Sequence, residues 1–167
     1  MMDWLSIGAL ILSLLAICIS LVQNRFENHS KRKEFVGQLL NLFISDEKIL
    51  KTFSMVDYNR EWYTRAFHLE NNKVQSEIDQ LLLLFNIIVK LKQDRQITQK
   101  DFKLFDYQLN RILRDEQVQH YLWNLYHFSR KSKSLSPYED LIDYMRKEKM
   151  IDAAFNSAES KEKYLNF

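Results

Sequence analysis

Two histidines and an asparagine recur at helical spacing in the second half of the chain, where they could bind a metal ion. His120, Asn124 and His127 stand at positions i, i+4 and i+7, so their side chains would share one face of a helix. A metal site needs three or more ligands, and the sequence has no His-Glu-x-x-His motif and a single cysteine, Cys18. We therefore interpret them as polar tips of an aromatic-rich helix, and predict neither a metal nor a cofactor.

A second pattern pairs an arginine with a histidine. Arg114 is followed by five residues and then by His120. This spacing resembles the helical-bundle ribonucleases of the HEPN type, which use an arginine and a histidine at about this separation. The resemblance implies that Arg114 and His120 are catalytic residues of an effector ribonuclease in a bacterial toxin or phage-defence system. A two-residue motif also arises by chance, so ribonuclease activity is the alternative function and not the leading one.

The sequence excludes several other classes of enzyme and ligand. No Ser-His-Asp set can be assembled, and two glycines in 167 residues leave no glycine-rich phosphate loop or dinucleotide fingerprint. The carboxylates of Glu70, Glu77, Asp79 and Asp101 lie near predicted helix starts, where negative charge stabilises the helix dipole. The formal net charge of +2 is too balanced to indicate nucleic-acid binding. We predict no nucleic-acid partner and no small-molecule ligand.

Composition predicts that these side chains are carried by an all-α fold. The chain has one proline and two glycines, and it lacks the Asn-Gly and Asp-Gly pairs that are typical of tight β-hairpins. Apolar residues instead recur at helical spacing in successive segments. We expect a compact bundle of five or six helices over residues 35–150, followed by a weakly patterned C-terminal tail over residues 151–167.

Capping signals predict where several helices begin. A stop and a new N-cap are expected within Ser45-Asp46-Glu47. Ser76 is expected to open the strongest helix, Thr98 to form a capping box with Asp101, and Ser136 to start the last helix. The stretch 58–69 is expected to form a short helix. The apolar faces predict this core: Val36, Leu39, Leu40, Phe43, Ile49, Leu50, Phe53, Ile78, Leu81, Leu82, Phe85, Ile88, Val89, Phe102, Phe105, Leu109, Ile112, Leu113, Tyr121, Leu122, Leu125, Phe128, Leu141, Ile142 and Met145.

The N-terminus carries 18 uncharged residues from Leu5 to Val22. As a helix this run would reach roughly 27 Å, close to the thickness of a bilayer's hydrocarbon core. No basic residue precedes the run, which argues against a cleaved secretory signal. We predict a transmembrane anchor over residues 1–24 and a polar juxtamembrane stalk over residues 25–34.

Charge next to this run predicts its direction. Basic residues follow it on the C-terminal side, where the positive-inside rule places the cytoplasm. They are also expected to contact lipid headgroups: Arg25, Lys31, Arg32 and Lys33. The N-terminus would then lie outside the cell and the helical domain in the cytoplasm.

Small residues inside the run recur every three or four positions. They would form one stripe along the helix: Ser6, Ala9, Ser13, Ala16 and Ser20. Small residues let helix backbones approach closely in lipid, so the stripe predicts a helix–helix interface, most simply in a homodimer. The alternative is that the serine hydroxyls bond to carbonyl groups of their own helix.

Three segments, 76–79, 102–107 and 119–123, resemble an uncharacterised bacterial family with a domain of unknown function. Its members are short single-pass membrane proteins with a helical cytoplasmic part. The resemblance implies a location in the bacterial inner membrane and assigns no catalytic residue.

The leading functional prediction is a membrane-anchored, non-enzymatic interaction or regulatory protein that self-associates through its transmembrane helix. Its expected partners are the membrane and either a second copy of the chain or another membrane protein. Besides the ribonuclease, a structural subunit of a larger membrane complex remains an alternative.

Overall fold

The computed structural model describes residues 30–58, 62–63 and 72–160, which contain six α-helices, two short 3-10 helices and no strand. This confirms the predicted all-α class. The α-helices are α1 (30–45), α2 (Glu47–Asp57), α3 (Asn72–Gln93), α4 (Gln99–Leu113), α5 (Glu116–Lys131) and α6 (Glu139–Lys147), and the 3-10 helices are Ala153–Asn156 and Ala158–Ser160.

Backbone contacts divide the chain into two compact units, Met1–Leu40 and Asn41–Phe167. Within the first unit, the α1 residues Val36 and Leu39 are buried, as their spacing predicts. Gly37 lies between them without interrupting the helix.

Helix α3 is the centre of the second unit, because it packs against α2, α4 and α6. Its inward residues are almost completely buried: Ile78, Leu81, Leu82, Phe85, Ile88 and Val89. Full burial of one such side chain contributes about 1.5–3 kcal/mol to stability. The predicted apolar face of this helix is therefore confirmed.

Two helix starts agree with their predicted caps. The Asp46 side chain accepts hydrogen bonds from the backbone N–H groups of Lys48 at 2.9 Å and Ile49 at 3.1 Å. Thr98 and Asp101 exchange side-chain to backbone hydrogen bonds in the predicted capping box. Both signals are local in sequence, which is why they could be identified there.

Two other helix starts differ from the prediction. Helix α3 begins at Asn72, four residues before the predicted Ser76, and α6 begins at Glu139, three residues after Ser136. The N-cap residue of α6, Tyr138, provides no side-chain cap. A residue that is distant in sequence supplies one instead, since the Asn86 side-chain oxygen accepts the Leu141 N–H at 2.9 Å.

The predicted core is correct in α3, α4 and α6. Elsewhere Leu40, Phe53 and Leu125 are only half-buried, and two predicted core residues are exposed. Leu50 in α2 is 40% exposed and Phe128 in α5 is 67% exposed. In α5 the predicted Tyr121 and Leu122 are buried, and so are Trp123 and Tyr126, which were not predicted.

The segment that follows α6 packs onto the second unit. Phe155 is fully buried, and its ring centroid lies 5.8 Å from that of Tyr126. The Arg146 guanidinium donates to the Asn156 side-chain oxygen at 2.7 Å and 3.1 Å. Residues 151–160, the first part of the predicted tail, therefore contribute to the core.

The structure corrects the predicted location, a single-pass protein in a bacterial inner membrane. Across the described residues, no helix is both long enough and apolar enough to cross a bilayer. The longest, α3, has 22 residues, but Glu77, Asp79 and Lys90 place charges within it. The membrane location with an external N-terminus is therefore not retained.

Several sequence predictions concern residues outside the described ranges. They include the proposed span at residues 5–22, the basic residue Arg25 and most of the short helix expected over residues 58–69, of which the described residues 58 and 62–63 are not helical. The small-residue stripe also lies there: Ser6, Ala9, Ser13, Ala16 and Ser20.

Candidate functional site: a carboxylate cleft between α3 and α5

The Asp79 carboxylate is held by two tyrosine hydroxyl groups. Asp79 lies on α3, Tyr121 on α5, and Tyr138 immediately before α6. Both hydroxyls donate to the same oxygen, Oδ1, at 2.7 Å. Hydrogen bonds to an ionised acceptor are stronger than neutral ones, so this arrangement fixes the carboxylate in one orientation.

Both tyrosines remain hydrogen-bond donors at neutral pH. Burial raises the pKa of the Tyr121 hydroxyl well above its usual range, and the hydrogen bond to Asp79 and its negative charge raise it further. The same causes, in the same order, raise the pKa of Tyr138. A hydroxyl that resists ionisation can hold an anion in place but is a poor general base or nucleophile.

Neither tyrosine hydroxyl bonds to the second carboxylate oxygen of Asp79, Oδ2. Within the described residues, no side chain donates to Oδ2 and no cation forms an ion pair with Asp79. The side chain is half-buried, so water screens its charge less than it would on an open surface. Among the residues that the structure describes, the negative charge of Asp79 is therefore not paired with a cation.

This charge faces a cleft of about 650 Å³, within the size range of small-ligand sites. Among the lining residues that the structure describes, Asp79 carries the only formal charge, and the residues other than Tyr121 and Tyr138 divide into a polar set and an apolar set. The polar set is Gln75, Ser76 and Gln80, and the apolar set is Leu83, Leu125 and Pro137. Leu83 and Ile87, one and two turns beyond Asp79 on α3, are 48% and 41% exposed. The Asp79 carboxylate in the cleft thus lies next to an exposed apolar row on α3, formed by Leu83 and Ile87.

Residues 62–63 pack against the Tyr121 ring and are held there by Gln117. The Gln117 side-chain oxygen accepts the backbone N–H groups of Trp62 at 2.8 Å and Tyr63 at 2.9 Å. The rings of Trp62 and Tyr63 then pack edge-on against Tyr121, with centroids 6.0 Å and 5.5 Å away. Asn124 donates to the Tyr63 hydroxyl oxygen at 3.2 Å. These contacts restrict the Tyr121 ring and therefore the hydroxyl that holds Asp79.

Two of the three side chains that the sequence presented as a possible metal set make other contacts in the structure. Asn124 binds Tyr63, whereas the His127 ring lies 4.4 Å from Trp123 and bonds through Nε2 to the Phe155 carbonyl at 2.9 Å. His120 is half-buried in α5. In the described part of the chain, no group of three or more His, Cys, Asp or Glu residues is arranged to hold a metal ion.

Arg114 and His120, the candidate ribonuclease pair, lie on either side of a helix boundary. Arg114 is the exposed C-cap residue of α4, and His120 lies in the second turn of α5. Asp115, the N-cap of α5, separates the two elements. The pair therefore does not share one continuous helix.

The basic cluster expected to contact lipid lies on α1, except for Arg25. Lys31 and Lys33 are exposed and Arg32 is half-buried. With the membrane location corrected, lipid contact is not proposed for them.

A second cleft, of about 500 Å³, lies between α2 and α3. It is lined by charges of both signs, from Lys51, Lys73 and Glu77. Thr52 also lines it, and the buried Thr52 hydroxyl has no hydrogen-bond partner among the described residues. This cleft lacks the fixed single charge of the Asp79 site, so the Asp79 cleft is the stronger candidate.

Sequence reasoning assigned Asp79 to the start of a helix and Tyr121 to the core. Because α3 begins at Asn72, Asp79 in fact lies two turns inside the helix, beside the buried Ile78. A carboxylate next to a buried stripe is the signal that could have identified the site, since buried charges require partners.

No family model, no curated protein and no solved structure matches this chain. The resemblances to a bacterial membrane family and to HEPN-type ribonucleases therefore remain predictions.

Proposed function

We propose that residues 41–160 form a non-enzymatic interaction domain that binds a partner at the Asp79 cleft. The observation that carries this proposal is the half-buried Asp79 carboxylate, fixed by two hydroxyl donors and without a cation among the described residues. Conformational entropy lost on binding is smaller when the recognising group is already oriented, so this geometry favours recognition.

Binding fits this cleft better than catalysis does. The tyrosine hydroxyls, whose pKa values are raised, stay protonated and serve as donors to Asp79. Both hydroxyls point at one carboxylate oxygen, which leaves the other oxygen as an acceptor for a ligand. A regulatory or scaffolding role follows, in which the domain recruits a partner and leaves it chemically unchanged.

Photo-cross-linking in the cells that make the full chain tests this proposal. A photoreactive amino acid at position 83 should give a specific adduct, whereas the same group at position 104 should not. Leu83 and Leu104 form a matched pair because they are 48% and 50% exposed. Adducts from both positions, or from neither, would contradict the proposal.

Two sequence-based alternatives can be separated from it. Incubation of the purified chain with RNA should give no cleavage, and cleavage that is lost in His120→Ala would favour the ribonuclease instead. Self-association, which the sequence also predicts, is measured by sedimentation of the full chain. A cross-linked adduct of twice the chain mass would identify the partner as a second copy.

A further inference from the structure

We propose that the Asp79 cleft binds the lysine side chain of an amphipathic helix in a partner polypeptide. This inference rests on the proposed function and names the chemistry of the partner. The observations behind it are the single negative charge of the cleft, the occupancy of one Asp79 oxygen and the exposed apolar row on α3.

The charge of the cleft selects a cation. Asp79 carries the only formal charge among the residues described as lining the cleft, and Gln75, Ser76 and Gln80 add neutral polar groups. An anion would meet uncompensated repulsion there, and a neutral ligand would leave the carboxylate without a counter-charge. A cation in the half-buried cleft gains both a charge-assisted hydrogen bond and charge neutralisation.

The hydrogen bonds already present at Asp79 favour an ammonium group over a guanidinium. Tyr121 and Tyr138 both donate to Oδ1, and a carboxylate oxygen offers about two lone-pair sites. A bidentate arginine fork needs both oxygens and would compete with a tyrosine. A lysine ammonium needs one acceptor and can use Oδ2 alone.

The apolar walls fit the rest of a lysine side chain. Leu83, Leu125 and Pro137 line the cleft beside the carboxylate, where they can contact the four-carbon stem while the ammonium reaches Asp79. A free alkylamine could make these contacts too.

The row beyond the cleft identifies a helix as the source of the lysine. Asp79, Leu83 and Ile87 are spaced by four residues each on α3, which is about 6 Å of helix length per step. A partner helix with a lysine and apolar residues at the same spacing would cover Leu83 and Ile87, both of which are exposed. A small amine would leave them in water.

A designed peptide provides the probe. It places one central lysine between leucines at positions four and eight residues away on both sides, so that either orientation along α3 is allowed. Its affinity for the full chain is measured by fluorescence anisotropy, with Asp79→Asn as the principal variant. Asparagine keeps a side-chain oxygen for the tyrosine hydroxyls and removes the charge. We expect binding to weaken at least about tenfold in Asp79→Asn.

Matched controls separate local effects from general ones. Asp143→Asn removes the charge of a surface carboxylate paired with Arg146 and should leave the peptide affinity unchanged. Leu83→Ser should weaken binding about fivefold, and Leu104→Ser should not. Equal effects of Asp79→Asn and Asp143→Asn would overturn the inference.

Changes in the probe test the chemical class. Norleucine in place of the peptide lysine should reduce affinity as much as Asp79→Asn does, and arginine should bind more weakly than lysine. An arginine peptide of equal affinity would overturn the choice of ammonium. Binding of n-hexylammonium as tight as that of the peptide would overturn the choice of a polypeptide.

The two proposals can fail separately. If the position-83 cross-link forms but Asp79→Asn does not weaken peptide binding, this inference fails and the proposed function stands. If the position-83 cross-link does not form, both are contradicted.

Discussion

At the scale of single residues, one oxygen atom joins three parts of the fold. Oδ1 of Asp79 accepts hydrogen bonds from the hydroxyl groups of two tyrosines, which lie 42 and 59 positions away in sequence. The bond to Tyr138 also fixes the turn before α6, and the bond to Tyr121 connects α3 with α5. The contributions of Tyr121 and Tyr138 to stability are expected to be coupled, because removal of one hydroxyl donor changes the strength of the hydrogen bond that the other makes to Asp79.

Tyr121→Phe and Tyr138→Phe should each lower the free energy of unfolding by about 1–3 kcal/mol, because each loses a hydrogen bond to a charged group. The double variant should differ from the sum of the single ones by at least about 0.5 kcal/mol. Urea denaturation measures all three. Tyr58→Phe is the control, since the Tyr58 side chain is 75% exposed and the change should stay within about 0.5 kcal/mol. Additive losses no larger than that of the control would contradict the coupling.

Stability should fall on the alkaline side of pH 10. Burial raises the pKa of Tyr121, Tyr138 and Tyr144, the last to about 12. Below pH 10 these tyrosines are protonated in both the folded and the unfolded chain, so they cause no pH dependence. Above it the unfolded chain loses protons that the folded chain keeps, which favours unfolding by about 1.4 kcal/mol per pH unit for each tyrosine.

Urea midpoints between pH 8 and pH 11, followed together with tyrosinate absorbance, measure this effect. In the Tyr121→Phe, Tyr138→Phe double variant the alkaline slope should be much smaller. An unchanged slope would show that other groups cause it.

At the scale of helices, the features that are local in sequence were predictable. The Asp46 cap, the capping box at Thr98 and the buried stripe of α3 each depend on residues within a few turns of each other, and the structure confirms them. The start of α6 could not be predicted, because Asn86 provides its cap from another helix. The candidate site was missed for the same reason, since Asp79 and Tyr138 meet only in the folded chain.

Asn86→Ala should destabilise the second unit by about 1–3 kcal/mol. The change leaves the buried N–H of Leu141 without its acceptor, and α6 has no side-chain cap of its own to compensate. Thermal unfolding followed by circular dichroism checks this loss. Asn41→Ala is the matched control, because Asn41 is exposed. Among the described contacts, its side chain accepts one hydrogen bond, from the Ser45 hydroxyl. Equal losses in the two variants would show that Asn86 does not act as a cap.

At the scale of the whole second unit, its last described segment closes the core. The Phe155 side chain is buried beside Tyr126, and its carbonyl bonds to His127. Gln119 donates to the Met150 carbonyl at 3.2 Å. The composition of this segment gave little sign of burial, since Phe155 is an isolated aromatic in a polar stretch, and periodicity requires several apolar residues.

Phe155→Ala should therefore lower the free energy of unfolding by about 3–5 kcal/mol, because it removes a fully buried ring and leaves a cavity beside Tyr126. Phe128→Ala is its matched control: the same substitution at a ring that is 67% exposed should change stability by no more than about 0.5 kcal/mol. Urea denaturation compares the two. Similar small losses would show that residues 151–160 rest on the surface and add nothing to the core. A large loss confined to Phe155→Ala would show that the folded domain extends through this segment, so that a truncation at Met150 would remove part of its interior.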